Sequence, residues 1–405
     1  MPVLGSWRSP LRGPWLTSAL GSILLVLLTI VVGTGFYSHL AYRPDLAGNA
    51  IVPASRDLIP FALDLPTRPS WLYALTQGAH VTLGFVAVPV VAAKLWSVIP
   101  RLFAWPPFAS PAQALERLGI ALLVGSGLFE LATGVVNAQV YYPFHFSFVI
   151  AHYYGAWLFT GALVLHVAVK LPVMGRAFRA RGVVAPLRES LERTAPEPPD
   201  PDGLAPLHPA APTISRRGLF GLVAGSSGLL ALLTAGQAIG GPLRPLALLA
   251  PRRSGFPVNK TARTAGITPE LVAGWRLDIS GPRPLSLTRA QLQALPQRTA
   301  TLPIACVEGW STTQTWTGVP LAALARLAGA REGAALRAVS LQPHGALRHA
   351  TLAPDQVADP RSLLALAVNG RDLSLDHGYP ARIVVPALPG VHNTKWVARL
   401  EVLDA

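Results

Sequence analysis

Residues 301–316 read TLPIACVEGWSTTQTW, and Cys306 within them is the single cysteine of a 405-residue chain. A strand-like run, TLPIA, leads into the cysteine, and Gly309 follows it. This arrangement predicts a tight turn that holds the sulfur at a strand end, open to a ligand. One cysteine permits no disulfide within the chain. Three roles remain: a small buried hydrophobe, a nucleophile, or a thiolate ligand to a soft or redox-active metal. A nucleophile needs a base; His344, His349, His377 and His392 are available, and no spacing selects one. In an oxidising compartment a free thiol is a liability, whereas a metal-bound one is protected.

Outward from the cysteine, residues 252–405 read as an α+β domain. Short β-branched or alternating runs bounded by Gly and Pro predict strands at 275–280, 336–342, 363–368, 382–386 and 396–403. Short helices are expected at 320–327 and near 288–295. A chain of about 150 residues is long enough to bury its own core.

CVEGWS (306–311), followed by WTGVPL (316–321), resembles the sulfite-oxidase superfamily of molybdopterin enzymes, most closely its exported methionine-sulfoxide-reductase branch. DHGYPARIVVPALPGVHNTKW (376–396) is similar to the superfamily's pterin-binding segment. The two motifs stand in the expected order, and the resemblance covers about 255–405. It implies that Cys306 binds molybdenum and that His377, Arg382 and Lys395 contact a molybdopterin cofactor. The chemistry fits, since Arg and Lys neutralise a phosphate, Arg through a two-pronged fork. Backbone around 390–394, including Thr394, serves the same anion. Glu308 is placed to orient water or a proton, and Asn259 of PVNKTA is a further candidate for the pocket. Trp310 and Trp316 are candidate walls. The histidine of the tail motif is closer to sulfite oxidases, and the cysteine motif is closer to the reductase branch. Little chain follows the tail motif, so the sulfite oxidases' additional C-terminal domain is not expected.

The first half is different. Apolar residues make up 51% of the chain and charged ones 13%, a membrane-protein balance. Five stretches approach the roughly 20 residues that cross a bilayer, at 15–39, 71–99, 115–137, 148–171 and 219–240. The net charge of +14 gathers beside them, at Arg8 and Arg12, Lys94 and Arg101, Arg117, Lys170 to Arg181, and Arg216 with Arg217. That pattern predicts a cytoplasmic N-terminus and an external C-terminal domain, in a bacterium the periplasm. No basic stripe interleaves with aromatics, so no nucleic-acid partner is expected. Residues 192–212, rich in Pro and Ala, predict a linker without fixed structure. SRRGLF (215–220) resembles a twin-arginine export signal, although two arginines before a span also satisfy the positive-inside rule.

His39, His80, His152 and His166 lie in or at the edges of the first four spans, where an ionisable residue is a functional candidate by default. His152 and His166 are 14 positions apart, about 21 Å along one helix and on nearly the same side. A four-helix bundle with such a pair can hold stacked haems. TQGAH (76–80), AHYYGAW (151–157) and LHVAVK (165–170) resemble the membrane cytochrome b subunits of bacterial respiratory enzymes. The resemblance implies that His80 and His152 serve an outer haem. The inner partner of His166, expected near 15–18, is missing from the sequence, so one or two haems b are implied. His39 is left to ligate haem or face a quinone. Glu130, within the third span, is read either as a group in quinone protonation or as a packing residue.

The expected organisation is a cytochrome b-like four-helix membrane domain (1–175), a cytoplasmic Pro/Ala-rich linker (176–214), a fifth transmembrane helix (215–241) and a molybdopterin-binding domain (252–405). The expected activity is oxygen-atom transfer to or from a small oxo-substrate, preferably reduction of an S- or N-oxide. Electrons are expected from the quinone/quinol pool through haem b. The alternatives are a sulfite-type dehydrogenase feeding quinone, and a haem-only electron carrier with a non-catalytic outer domain. The sequence leaves homo-oligomerisation open.

Overall fold

The computed structural model describes residues 8–59, 61–103, 110–200, 203–345 and 348–403. Five helices among them are long and apolar enough to cross a membrane: α1 (Pro14–Ala41), α2 (Leu72–Leu102), α3 (Pro111–Ala138), α4 (Phe148–Arg181) and α5 (Arg216–Ile239). Each overlaps an expected span. The fourth runs on past its expected end at 171, through Pro172, and stops where Gly182 takes φ +74°. The linker therefore begins at 182, later than the expected 176. Contacts divide the chain into two compact units, one of 1–33 with 81–234 and one of 34–80 with 235–405.

In the first unit, α3 packs along α4. Trp15, Leu16, Leu20, Val90 and Val223 form a buried cluster from α1, α2 and α5. Polar ties reinforce it. Lys94 Nζ donates to the Thr17 carbonyl at 2.7 Å, and Ser227 Oγ donates to the Val86 carbonyl at 2.8 Å. The linker is held, contrary to the expectation of no fixed structure. The Glu197 carboxylate accepts from the Trp15 N–H at 3.0 Å, where a helix start leaves N–H groups unpaired and favours negative charge. Arg216 is 0% exposed; it pairs with Glu189 at 2.8 Å and donates to the Ala195 carbonyl at 2.8 Å. The first arginine of SRRGLF is thus a buried clamp, and Arg217 beside it is exposed.

The second unit contains two five-stranded sheets. In chain order its elements are α6 (Pro269–Val272), β1 (Arg276–Ser280), β2 (Leu285–Thr288), α7 (Arg289–Ala294), β3 (Arg298–Ala305), β4 (Ser311–Pro320) and α8 (Leu321–Leu327). There follow β5 (Ala335–Ser340), β6 (His349–Leu352), α9 (Pro354–Ala358), β7 (Leu363–Val368), β8 (Arg371–Asp372), β9 (Arg382–Val384) and β10 (Val397–Leu403). The first sheet has the order β2-β1-β10-β5-β6, in which β1 and β10 run parallel. The second has the order β3-β4-β7-β8, with β9 also paired to β7. Strand β7 is buried on both faces. Leu364 and Leu366 join the main core with Ile279, Leu336 and Leu400; Leu363 and Ala365 join a second cluster containing Cys306 and Trp316. That alternation follows from the two-residue period of a strand.

Residues 34–80 are part of this second unit. Asn49 caps the edge strand β6: its Nδ2 donates to the Thr351 carbonyl at 2.9 Å, and its Oδ1 accepts from the Thr351 N–H at 2.8 Å. Arg361 donates to the Thr67 carbonyl at 3.0 Å, and the Tyr42 ring meets His392 edge-on at 5.6 Å.

Candidate active site

Strands β3 and β4 form a hairpin with Ala305 opposite Ser311, so residues 306–310 are its turn. The Cys306 N–H donates to the Trp310 carbonyl at 2.9 Å, and the Gly309 N–H donates back to the Cys306 carbonyl at 2.9 Å. Closing so tight a turn requires the left-handed backbone of Gly309, φ +93°, a conformation glycine adopts without strain. Cys306 is 5% exposed. Burial first, and the neighbouring Glu308 charge second, push its thiol up to about 12. A thiol so placed holds its proton until a metal displaces it.

Glu308 points back across the turn. Trp310 Nε1 donates to its Oε2 at 2.8 Å, and Arg252 pairs with the same oxygen at 2.6 Å. Arg252 also donates to the carbonyls of Val258 and Asn259. It therefore ties the cysteine turn to the strap 256–259. Sequence reasoning passed over Arg252, because nothing in its neighbourhood marks it. The demand of a nearly buried carboxylate for a counter-charge is the signal that finds it.

Cys306, the strap and the tail segment line one shallow cleft, open to solvent. Asn259, His377, Arg382 and Lys395 line it, together with Phe256, Trp310 and Asp376. The His377 ring stacks on Phe256 at 3.7 Å; its Nδ1 lies 2.8 Å from Ser374 Oγ and its Nε2 lies 3.3 Å from the Phe256 carbonyl. Burial pulls its pKa down. Arg382 lies over Trp316 at 5.0 Å and donates to the carbonyls of His377 and Asn393. Lys395 Nζ donates to the carbonyls of Lys260 and Asp376. Burial lowers Arg382 to about 9, and burial with the Arg382 charge lowers Lys395 to about 7.

Two buried cations beside one another with only carbonyls as partners form an anion site. Among the described residues, Arg382 Nε and Thr394 Oγ1 are buried without hydrogen-bond partners. These unmet donors fit the phosphate of a pterin, and Cys306 on the same cleft supplies the soft sulfur that molybdenum prefers. The candidate set Cys306, Asn259, His377, Arg382 and Lys395 is thus brought together, with Thr394 on the backbone beside it and Glu308 in the turn.

The membrane histidines are placed separately. In the first unit, His152 Nδ1 lies 3.1 Å from Glu130 Oε2 and 3.0 Å from Thr133 Oγ1. Glu130 is therefore the carboxylate partner of His152. A metal-ligating imidazole is commonly oriented through its other nitrogen in this way. Gly134 faces the same ring, 3.7 Å from Cε1 to the place a Cβ would occupy. His166 has Lys94, Lys170 and Glu116 as charged neighbours. In the second unit, His80 Nδ1 lies 3.4 Å from Thr34 Oγ1, and the His80 ring packs directly on Gly35, where a Cβ would lie 3.0 Å from its Cε1. His39 Nε2 is paired with Asp57 at 2.9 Å.

Residues 265–405 match the family described as oxidoreductase molybdopterin binding domain. The C-terminal domain is a molybdopterin-binding oxidoreductase domain, similar to part of the sulfite oxidases. A relative named as a protein-methionine-sulfoxide reductase subunit, YedZ1, of Azospira oryzae is 28% identical over 152 residues, covering 37% of this chain and 57% of the relative. Mitochondrial sulfite oxidase of Drosophila melanogaster is 31% identical over 32% of this chain and 27% of its own length. The uncharacterized oxidoreductase YuiH of Bacillus subtilis is 32% identical over 31% of this chain and 64% of its own. The matches thus span about half of the first relative and about a quarter of the second.

Proposed function

We propose that the protein is a membrane-bound molybdenum oxidoreductase that reduces a small S- or N-oxide with electrons drawn from quinol through haem b. The observation that carries this reading is the cleft, where one buried thiol and two buried cations converge, with an unmet donor on Arg382. Arg382, Lys395 and Thr394 would hold the pterin phosphate, His377 and Asn259 would flank the pterin, and Cys306 would bind the metal. When bound, molybdenum supplies two-electron oxygen-atom transfer. The chain's own contribution is placement. The Gly309 turn fixes the sulfur, and Trp310 and Arg252 fix Glu308, which orients water or carries a proton beside it. Arg252 has its charge matched by Glu308. That favours a neutral oxide over an anion such as sulfite, whose oxidation is the second reading.

Haem b, with His80 and His152 as candidate ligands, extends the proposal, as do a cytoplasmic N-terminus and an external catalytic domain. The five apolar helices and the Glu130–His152 contact support it. Molybdenum and haem per chain, measured on detergent-purified protein by elemental analysis and a pyridine haemochrome assay, form the direct test. One molybdenum with one or two haems is the expected result. Cys306→Ser should abolish turnover, a loss of at least about a thousandfold, and leave the haem spectrum intact. Unchanged turnover in that variant would sink the molybdenum assignment. Haem without molybdenum, from a host that makes the cofactor, would favour a haem-only carrier.

A further inference from the structure

The first turns of α2 belong to the same compact unit as the catalytic domain. Tyr73, fully buried, packs with Ala41, Leu65 and Ala305, and Ala305 is the residue before the cysteine. One helical turn later comes Gln77, 3% exposed. Its Nε2 donates to the main-chain carbonyl of Val307 at 3.2 Å, and Val307 directly follows Cys306. Among the described residues, Gln77 Oε1 has no hydrogen-bond partner. A contact that served packing alone would be met by an apolar side chain, since a half-satisfied buried amide is destabilising. His80 lies three residues further along the same helix, and side chains at that spacing share a face.

These residues make a short continuous connection. From the Cys306 sulfur it follows the main chain to the Val307 carbonyl. It crosses one hydrogen bond to Gln77 and continues through one turn of α2 to His80. Tunnelling through covalent and hydrogen bonds decays less steeply than tunnelling across open space. We propose that Gln77 is the positioning residue that couples electron exchange between a metal on Cys306 and a haem on His80. The inference rests on the haem reading above. Each transfer oxidises one metal by one electron and reduces the other by one, with quinol as the ultimate donor and the oxide as the ultimate acceptor.

The experiment uses full-length protein in detergent and requires no knowledge of the substrate. Flash-generated 5-deazariboflavin radical reduces the haem, and its reoxidation by molybdenum is followed in the haem absorption band. Gln77→Met removes the hydrogen bond at similar volume. Gln77→Glu replaces the donor with an acceptor facing the same carbonyl and gives a second variant should the first not assemble. The expected result is at least a tenfold slower intramolecular phase in either variant, with molybdenum content, haem content and both midpoint potentials unchanged. A purely structural role would lower cofactor content and leave the rate constant of the fully loaded fraction alone. An unchanged rate constant in a fully loaded variant overturns the inference by itself. A wild-type protein that carries molybdenum and no haem overturns both the inference and the haem reading.

Discussion

Lys395 is the residue on which the charge balance of the cleft turns. Burial and Arg382 hold it at about 7, whereas an unfolded lysine titrates near about 10.4. Between those values the unfolded chain binds a proton that the folded chain has released. Stability of the cofactor-free protein therefore rises with pH across that window, by at most about 1.4 kcal/mol per pH unit for this one group. Below pH 7 both states are protonated and the slope from this group vanishes. Thermal melts of cofactor-free protein from pH 6 to pH 9 should show the rise, and Lys395→Met should flatten it between pH 7 and pH 9. A slope that survives the substitution would assign it to other groups. Lys395, Arg382, His377 and Cys306 were singled out by the resemblance of their two motifs to a known family, and folding brings all four to one cleft. Arg252 was not, since its partner Glu308 is 56 positions away and only folding brings the two together. Glu130 was legible as unusual, and its partnership with His152 emerged only when α3 and α4 were packed.

At the scale of elements, the membrane helices were read almost to their ends, because an unbroken apolar run has one structural meaning. The end of α4 was missed because its last turns, rich in arginine, leave the apolar pattern while the helix continues. Strand β4 was missed for another reason. Its sequence, STTQTWTGVP, carries little hydrophobic contrast, and its strand character comes from β-branched threonines paired across the hairpin, as at Thr299–Thr317 and Thr301–Thr315. The register of β4 on β7 shifts between Thr317 and Gly318. There the strands approach so closely that a Cβ on Gly318 would lie 2.1 Å from the Leu364 carbonyl oxygen. Gly318→Ala should therefore cost roughly 2–4 kcal/mol and loosen the hairpin that presents Cys306. Denaturant melts of the variant give the number, and a loss under about 0.5 kcal/mol would show that the strands part easily.

For the molecule as a whole, the informative fact is that residues 34–80 fold with the catalytic domain. Nothing in the sequence marks this segment, the loop with the span ends that flank it, as part of that domain. Its role comes from partners some 300 positions away, which no local pattern encodes. Asn49 satisfies both main-chain groups of Thr351 on an edge strand. Asn49→Ala strips two buried hydrogen bonds and should destabilise the catalytic unit by about 2–4 kcal/mol. The haem spectrum, if haem is carried as proposed, should be unaffected. Limited proteolysis between β5 and β6 in wild type and variant reports the loss; equal cleavage rates would mean that the cap is dispensable.

The burial of Cys306 has a further use. Maleimides react with exposed thiolates, and the chain's one thiol is 5% exposed and protonated up to about 12. The native protein is therefore silent toward such reagents. A cysteine introduced on its surface becomes the sole labelling site with the active centre left intact. Arg56→Cys and Arg217→Cys, treated in whole cells with a reagent that does not cross membranes, would read sidedness on a working molecule. Labelling of the first and protection of the second would fix the orientation drawn from the basic flanks.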